Sequence, residues 1–236
     1  MDTLKYILNW IYPEKCVLCR RVLPINNSFG GICAGCDKNM PFIKPPRCSI
    51  CGRHIENGEI CERCAKASYA FEKAYAVFDY EDVKESIHRF KYGCIKGIGE
   101  TFSALMVRFA ECSSMDISNI DVIVPVPLYK SKLKSRGFNQ SELLAFGIGR
   151  HFGIEVDKTS LLRIRETPPQ SLLDISERRK NVKGAFKVTD EKAVLNKTVL
   201  LIDDIFTSGA TLNECSAALL RAGASTVYVF ALSLAN

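Results

Sequence analysis

The sequence lacks any long apolar run: no hydrophobic stretch approaches the roughly 20 residues that a transmembrane helix needs. It also lacks a recognisable secretory signal, because the apolar run over residues 4–12 is short and interrupted and no small-residue cleavage site follows it. We therefore expect a cytoplasmic protein without a membrane span. Residues 4–12 are better explained as a short amphipathic helix that packs on the body of the protein.

The length and composition predict a folded protein with two parts. A chain of 236 residues, of which 47% are hydrophobic, is long enough for one medium-sized domain and a small one. Cysteine pairs dominate the sequence up to about residue 68, and alternating strand and helix patterns follow. We therefore predict two domains, over residues 1–68 and residues 69–236.

The cysteines are not arranged as in a secreted, disulfide-bonded protein. Eight of the eleven form four CxxC pairs. A CxxC turn directs two thiolates at one point, and two such turns complete a tetrahedral zinc site, so four pairs predict two structural Zn²⁺ ions. Iron–sulfur clusters are the alternative, because thiolates alone do not select the metal. The predicted metal ligands are Cys16, Cys19, Cys33, Cys36, Cys48, Cys51, Cys61 and Cys64.

Two pairing schemes fit the spacing of these cysteines. Gaps of 13, 11 and 9 residues separate successive pairs. Sequential pairing, first with second and third with fourth, gives a double zinc ribbon and is the favoured scheme, while a cross-braced arrangement is the alternative. His54 is surplus to two complete four-thiolate sets and is predicted to be a surface residue. We expect the first 68 residues to fold only with metal, because ribbons of this size cannot build a core.

From residue 69 onward, the pattern alternates between strands and helices. Strands are predicted at residues 74–80, 121–124, 160–164, 197–203 and 225–232. Helices are predicted at residues 83–92, 99–112, 137–152 and 210–221. This interleaving indicates an α/β fold with a parallel sheet flanked by helices. In such sheets ligands bind beyond the carboxyl ends of the strands.

The segment 199–211 is the most informative part of the chain. Four consecutive apolar residues predict a buried strand that ends in Asp203 and Asp204, and the loop 207–211 then enters a helix. A helix N-terminus presents free N–H groups and the positive end of the helix dipole, which favours a phosphate. The paired carboxylates precede this loop and can accept hydrogen bonds from two neighbouring hydroxyls. The layout fits a sugar 5-phosphate, and the alternative is an ordinary strand–turn–helix with a polar turn.

This segment resembles the phosphoribosyl pyrophosphate (PRPP) signature of type I phosphoribosyltransferases. The resemblance implies that Asp203 and Asp204 hold the ribose hydroxyls while the following loop wraps the 5-phosphate. It also implies that the segment after strand 121–124 holds pyrophosphate, and that Mg²⁺ accompanies PRPP. The loop from Arg165 to Ile175 would close over the site and bring Arg165 to the leaving pyrophosphate. The implied ligand-binding residues are Thr207, Ser208, Gly209, Ala210, Thr211, Pro125 and Val126.

Positive charge is concentrated in one part of the chain. Residues 124–190 carry 13 Lys and Arg residues against 7 Asp and Glu residues. Such a segment suits a polyanion, although a solvated loop surface gives the same count. The candidate nucleic-acid contacts within it are Lys130, Lys132, Lys134, Arg136 and Arg178.

Four further elements point to a narrower family. They are HRFKY at 88–92, RGFNQ at 136–140, RETPPQ at 165–170 and ERRKNVKGAF at 177–186. Together with the CxxC array, they resemble the ComF family, which is named for a late competence protein and includes GntX-like proteins. The resemblance covers nearly the whole chain. It implies a competence protein that binds single-stranded DNA during DNA uptake, beside a helicase and recombination mediators.

Three functions stay open at this point. The first is a DNA-uptake protein that binds single-stranded DNA and keeps a PRPP-type site. The second is an active phosphoribosyltransferase, for which no acceptor-binding module is recognisable in the sequence. The third is a zinc-dependent adaptor that has lost ligand binding, and the intact pair of Asp203 and Asp204 counts against it.

Overall fold

The computed structural model describes residues 13–27, 30–93, 96–113, 115–167 and 175–235. The helix predicted over residues 4–12 and most of the 165–175 loop lie outside these residues. The helices are α1 Ala34–Lys38, α2 Glu62–Ala65, α3 Tyr80–Tyr92, α4 Lys96–Cys112, α5 Lys130–Arg136, α6 Gln140–Phe152, α7 Ile175–Val182 and α8 Ala210–Arg221. The strands are β1 Lys73–Asp79, β2 Val122–Pro125, β3 Leu161–Arg163, β4 Phe186–Val188, β5 Thr198–Phe206 and β6 Thr226–Leu234. No helix in the described part of the chain is long and apolar enough to cross a membrane.

The central sheet is parallel, as the interleaved pattern predicts. Its strand order is β1–β6–β5–β2, and every neighbouring pair runs in the same direction. Val156 adds a parallel bridge to Ile123 on the outer side of β2. The apolar run 199–202 of β5 is fully buried, because neighbouring strands pair with both its sides and side chains cover both faces. The carboxyl ends of β2 and β5 therefore lie side by side at one edge of the sheet.

The strand predicted near residues 160–164 forms outside the parallel sheet. It is β3, which pairs antiparallel with β4 in a separate two-stranded sheet, with Leu161 opposite Val188. Leu161 is buried whereas Leu162 is 41% exposed, so this small sheet buries only one face. One-sided burial is typical of antiparallel pairs, while a strand inside a parallel sheet is covered on both faces.

The helix predicted at 137–152 begins at Gln140 in the structure, where it is α6, and a separate short helix, α5, precedes it. Gly137 has a φ of 79° and ends α5, because the left-handed backbone cannot continue a helix. Asn139 then caps α6, since its side chain accepts a hydrogen bond from the N–H group of Ser141. The basic run 130–136 therefore forms a separate helix, so its side chains point in different directions around the helix axis.

The cysteine-rich part packs directly on the α/β body. The N–H group of Ala74 in β1 donates to the carbonyl oxygen of Ile50 at 2.6 Å, and that of Ile43 donates to Val77 at 2.9 Å. The carbonyl oxygen of Val17 accepts a bond from Ser86 in α3 at 2.5 Å. Ribbon cysteines lie in both hydrophobic clusters of the body. The boundary at residues 68 and 69 stays a prediction, and the two parts share their cores.

Candidate functional site

The eight paired cysteines form two groups of four. Cys16, Cys19, Cys33 and Cys36 make one group, and Cys48, Cys51, Cys61 and Cys64 make the other. Within each group the sulfur atoms lie within 4.8 Å of one another. The favoured sequential pairing is therefore confirmed, and the cross-braced alternative is wrong. Four thiolates at this separation fit a tetrahedral zinc ion.

The local geometry of the two groups is similar. The N–H group of Cys33 donates to the sulfur of Cys16 at 3.3 Å, and that of Cys61 donates to the sulfur of Cys48 at 3.4 Å. A hydrogen bond from the N–H group of Cys36 lowers the pKa of Cys33 to about 7, whereas burial raises the pKa of Cys36. His54 belongs to neither group. It is exposed, and its Nδ1 lies 3.0 Å from the carbonyl oxygen of Lys44.

The loop between β5 and α8 turns at a glycine with a left-handed backbone. Gly209 has a φ of 75°, and a Cβ atom there would lie 2.9 Å from the rings of both Phe206 and Tyr69. Only glycine meets both conditions without strain. Ser208 is buried, and its hydroxyl accepts a bond from the N–H group of Ala210 at 3.4 Å. Helix α8 begins at Ala210, as the sequence predicts.

The two carboxylates before this loop are held by different helices. Asp203 accepts a bond from Ser141 of α6 at 3.0 Å and a second from the N–H group of Asp204 at 2.9 Å. Asp204 forms an ion pair with Lys91 of α3, with 2.6 Å between Oδ2 and Nζ. Burial raises the pKa of Asp203 to about 7, and the charge of Asp204 adds to this shift.

The carboxylates and the loop line one cavity of about 640 Å³ beyond the carboxyl ends of β2 and β5. This is the position that parallel α/β sheets use for ligands. The predicted site residues that line it are Asp203, Asp204, Val126, Thr207, Gly209, Thr211, Lys132 and Arg136. Residues predicted separately for ribose phosphate and for nucleic acid therefore meet in one place.

Two further cations in this cavity were missed by the sequence analysis. Lys91 comes from α3 and Arg163 from the end of β3. Burial lowers the pKa of Lys132, and the positive charges of Arg163, Arg136 and Lys91 lower it further. Four cations thus lie within electrostatic reach of one another, an arrangement that a multivalent anion would neutralise.

The sequence contained only weak signals for these two residues. Lys91 belongs to the HRFKY element, which was recognised by resemblance and given no chemical role. Arg163 lies two residues before Arg165, and β3 ends at Arg163. Its guanidinium lies 5.4 Å from the centre of the Phe186 ring, and it donates to the hydroxyl of Thr167 at 2.5 Å. The small antiparallel sheet therefore positions this arginine.

Other predicted residues lie outside the cavity lining. The guanidinium of Arg165 donates to the carbonyl oxygens of Asn181 at 3.0 Å and Lys183 at 2.6 Å, at the end of α7. Its role at a leaving pyrophosphate stays a prediction. Lys130 and Lys134 are exposed on α5. Pro125, Ser208 and Ala210 are buried and do not line the cavity, and the side chain of Arg178 lies outside the described part of the structure.

Comparison with known proteins identifies the cysteine-rich part. A family model described as "Double zinc ribbon domain" matches residues 7–65. The match agrees with the two four-cysteine groups. The chain is therefore a mixed α/β protein with a parallel sheet that follows a double zinc ribbon.

Relatives align with nearly the whole chain. "Competence protein F" of Haemophilus influenzae is 31% identical over 227 residues, covering 94% of this chain and 97% of its own. "DNA utilization protein YhgH" of Escherichia coli K12 is 30% identical over 224 residues, covering 93% and 96%. "Competence protein ComFC" of Bacillus subtilis is 29% identical over 210 residues, covering 85% and 83%. The chain belongs to the competence protein F family, as the sequence elements predict.

Two solved structures are similar to part of the chain. The glutamine PRPP amidotransferase from B. subtilis in complex with ADP and GMP is 21% identical, with a TM-score of 0.41 over 61% of this chain. An allosteric regulatory enzyme of purine biosynthesis is 22% identical, with the same TM-score over the same share. The chain covers 30% and 29% of the lengths of these two proteins.

Proposed function

We propose that the cavity binds a ribose 5-phosphate unit, in the form of PRPP, in a protein that also binds single-stranded DNA during DNA uptake. One observation carries this proposal. Asp203 and Asp204, here called the acid pair, and the loop 207–211, here called the phosphate-type loop, open into the same cavity of about 640 Å³ as four cationic side chains. A ligand with hydroxyls on one side and phosphates at two ends matches this distribution of charge.

Each part of PRPP has chemically suitable partners in the cavity. The loop 207–211 and the N-terminus of α8 suit the 5-phosphate, because free N–H groups favour an anion. Asp203 and Asp204 accept hydrogen bonds, and the ribose hydroxyls donate them. The pyrophosphate would lie among the cationic side chains of Lys132, Arg136 and Arg163.

Magnesium fits this assignment as a companion of the ligand. The described residues bring together no group of three metal-binding side chains apart from the two cysteine clusters. Mg²⁺ usually keeps several waters and takes most of its remaining ligands from substrate phosphates. It would supply charge neutralisation on the pyrophosphate.

The exposed side of α5 suits a nucleic-acid backbone. Lys132 and Arg136 are four residues apart and line the cavity, whereas Lys130 and Lys134 are exposed to solvent. Phosphates of a single strand would contact the exposed pair while the cavity holds the ribose phosphate. The names of the relatives, which refer to competence and DNA utilization, support a role with DNA. A competence helicase and recombination mediators are the proposed protein partners.

Calorimetric titration of the zinc-loaded protein with PRPP and Mg²⁺ tests the cavity. We expect binding that Lys132→Gln weakens by at least about tenfold, because a cation–phosphate contact is lost in a site partly shielded from water. Lys134→Gln is the matched control on the solvent side of the same helix and should leave this affinity unchanged. Absence of binding, or equal weakening by both variants, would refute the ribose-phosphate site.

Turnover of PRPP is a second candidate, favoured by the cations where pyrophosphate would leave. The same protein should be assayed for pyrophosphate release with and without single-stranded DNA. Release that depends on the intact acid pair would support an active phosphoribosyltransferase. Binding without release would support a binding protein.

DNA binding is tested by fluorescence anisotropy of a labelled single strand at several salt concentrations. For single strands, each neutralised phosphate contributes about −0.7 to the slope of log affinity against log salt. The double variant Lys130→Gln/Lys134→Gln should make this slope shallower by about 1.4. Lys192→Gln is a control, because this exposed lysine precedes β5 at the opposite edge of the sheet. A slope near zero in the unchanged protein would refute backbone contacts.

A further inference from the structure

The HRFKY element lies at residues 88–92, in the last turns of α3. Some of its side chains pack in the interior of the protein and others line the cavity. Phe90 is fully buried in the core, and Arg89 donates to the carbonyl oxygen of Val17 in the first ribbon. His88, Lys91 and Tyr92 all line the cavity, because residues three and four apart share one face of a helix. Two of these three are exposed rings beside a site proposed for ribose phosphate.

The rings form an ordered group in the solvent-facing part of the cavity. The centres of the His88 and Tyr92 rings are 4.8 Å apart, and the guanidinium carbon of Arg136 lies 5.2 Å from the centre of the Tyr92 ring. Tyr92 is 64% exposed, the largest value among the exposed large hydrophobic side chains of the described residues. Its position therefore contributes little to the core, and its exposed ring is available to a planar ligand.

Residues next to this group in the chain contact both carboxylates. Lys91 precedes Tyr92 in the chain and pairs with Asp204 at 2.6 Å. On the other side, Arg136 donates to Gln140 at 2.5 Å, and the next residue, Ser141, donates to Asp203 at 3.0 Å. The rings thus lie beside the part of the cavity assigned to the ribose, which is where a base joined to that ribose, or to a neighbouring nucleotide, would lie.

We propose that Tyr92, flanked by His88 and Arg136, is a stacking surface for a nucleobase. The inference deepens the proposed function, on which it rests for the position of the ribose phosphate. Bases stack on aromatic rings and on arginine planes, and they do so with little dependence on sequence because every base has a flat face. The base has two sources, a free ribonucleotide or an unpaired base of single-stranded DNA.

Two pairs of probes distinguish these sources. The first pair is adenosine 5′-monophosphate and ribose 5-phosphate, which differ by the base. The second pair is an oligothymidine strand and an abasic strand of equal length. We expect the base-bearing member to bind more tightly in at least one pair, and the pair that discriminates identifies the source.

Variants of the ring complete the test. Tyr92→Ala should weaken the base-bearing ligand by about 5- to 150-fold, the range found for loss of one stacked base, and should leave the ligand without a base within about twofold. Tyr92→Phe retains the ring and should retain most of the affinity. Phe146→Ala is the matched control, because Phe146 is an exposed ring with a lysine 5.6 Å from its centre and does not line this cavity.

The failures of the two proposals are distinct. Equal affinity within both pairs of probes, or equal weakening of both members by Tyr92→Ala, overturns the stacking surface while ribose 5-phosphate binding still supports the site. If ribose 5-phosphate does not bind but the strand with bases is preferred and Tyr92→Ala removes the preference, the stacking surface holds for DNA and the ribose-phosphate proposal fails.

Discussion

Arg63 in the second zinc ribbon donates a hydrogen bond to the carbonyl oxygen of Thr207 in the phosphate-type loop, with 2.8 Å between the two atoms. The side chain of Asn213, in the first turn of α8, accepts a bond from the N–H group of Ala70 at 2.7 Å. The Tyr69 ring also lies against Gly209. The cysteine-rich part and the chain that follows it thus hold the loop in place.

Replacement of Arg63 should weaken ligand binding without removing metal. Arg63→Ala removes the hydrogen bond to the carbonyl oxygen of Thr207. We expect the affinity for ribose 5-phosphate to fall about 3- to 10-fold, which corresponds to part of the free energy of one charge-assisted hydrogen bond. Zinc content should stay unchanged. Lys66→Ala is the matched control, since Lys66 is exposed just after the same short helix. Unchanged affinity in Arg63→Ala would show that the ribbon does not position the loop.

Metal analysis of the purified protein should return two zinc ions per chain, one for each group of four cysteines. The double variant Cys61→Ser/Cys64→Ser should return one, because a site with two thiolates loses most of its affinity for zinc. One zinc per unchanged chain would contradict two four-thiolate sites. Iron with visible charge-transfer absorption would identify iron–sulfur clusters instead.

Gly209→Ala should destabilise the protein more than a comparable change elsewhere. Both Gly209 and Gly153 have positive φ values, 75° and 70°, where alanine costs about 1–2 kcal/mol. A Cβ atom at Gly209 also meets two aromatic rings, whereas one at Gly153 meets no atom within 4 Å. Denaturant unfolding should therefore show Gly209→Ala to be less stable than Gly153→Ala by about 1–3 kcal/mol. Equal losses would mean that the rings move aside freely.

Asp203 should make stability depend on pH. Its pKa in the folded protein is about 7, above the usual value near 4, so the folded state binds more protons than the unfolded state between these values. Its contribution to stability is fully present below pH 4 and is lost as the pH rises to about 7. Asp203→Asn should raise Tm at pH 8 by about 2–4 °C for each kcal/mol recovered, and less at pH 5. Ser141→Ala is a control, because it removes a bond to Asp203 while the titrating group remains. The same shift at both pH values would refute the raised pKa.

The features that could be predicted from the sequence are those that depend on residues close together in the chain. The CxxC pairs are two residues apart, so each pair converges whatever surrounds it, and the sequential groups follow from short gaps. Helix α8 begins at the predicted Ala210 because the glycine before it takes a left-handed turn. Strand β5 is predicted because an apolar run suits burial on both faces. These features account for the correct prediction of the fold class and of the two four-cysteine groups.

The parts that pattern did not predict depend on the helical period and on distant packing. The sequence of the basic run 130–136 suggests that its cationic side chains form a single row. In the helix, however, Lys132 lines the cavity while Lys130 and Lys134 are exposed to solvent. Arg163 reaches the cavity, whereas Arg165 donates to carbonyl oxygens at the end of α7 and just after it, because β3 pairs with β4 and stays outside the main sheet. Lys91 meets Asp204 across more than one hundred residues of chain.

The amino-acid sequence by itself thus predicted the two groups of cysteines and the strand that ends in the acid pair, because both depend on short-range geometry. It did not predict which side chains line the cavity. Tertiary packing alone brings Lys91 and Tyr92 of α3 and Arg163 of β3 to the cavity that holds the acid pair, since the orientation of each element is set by the core that it covers.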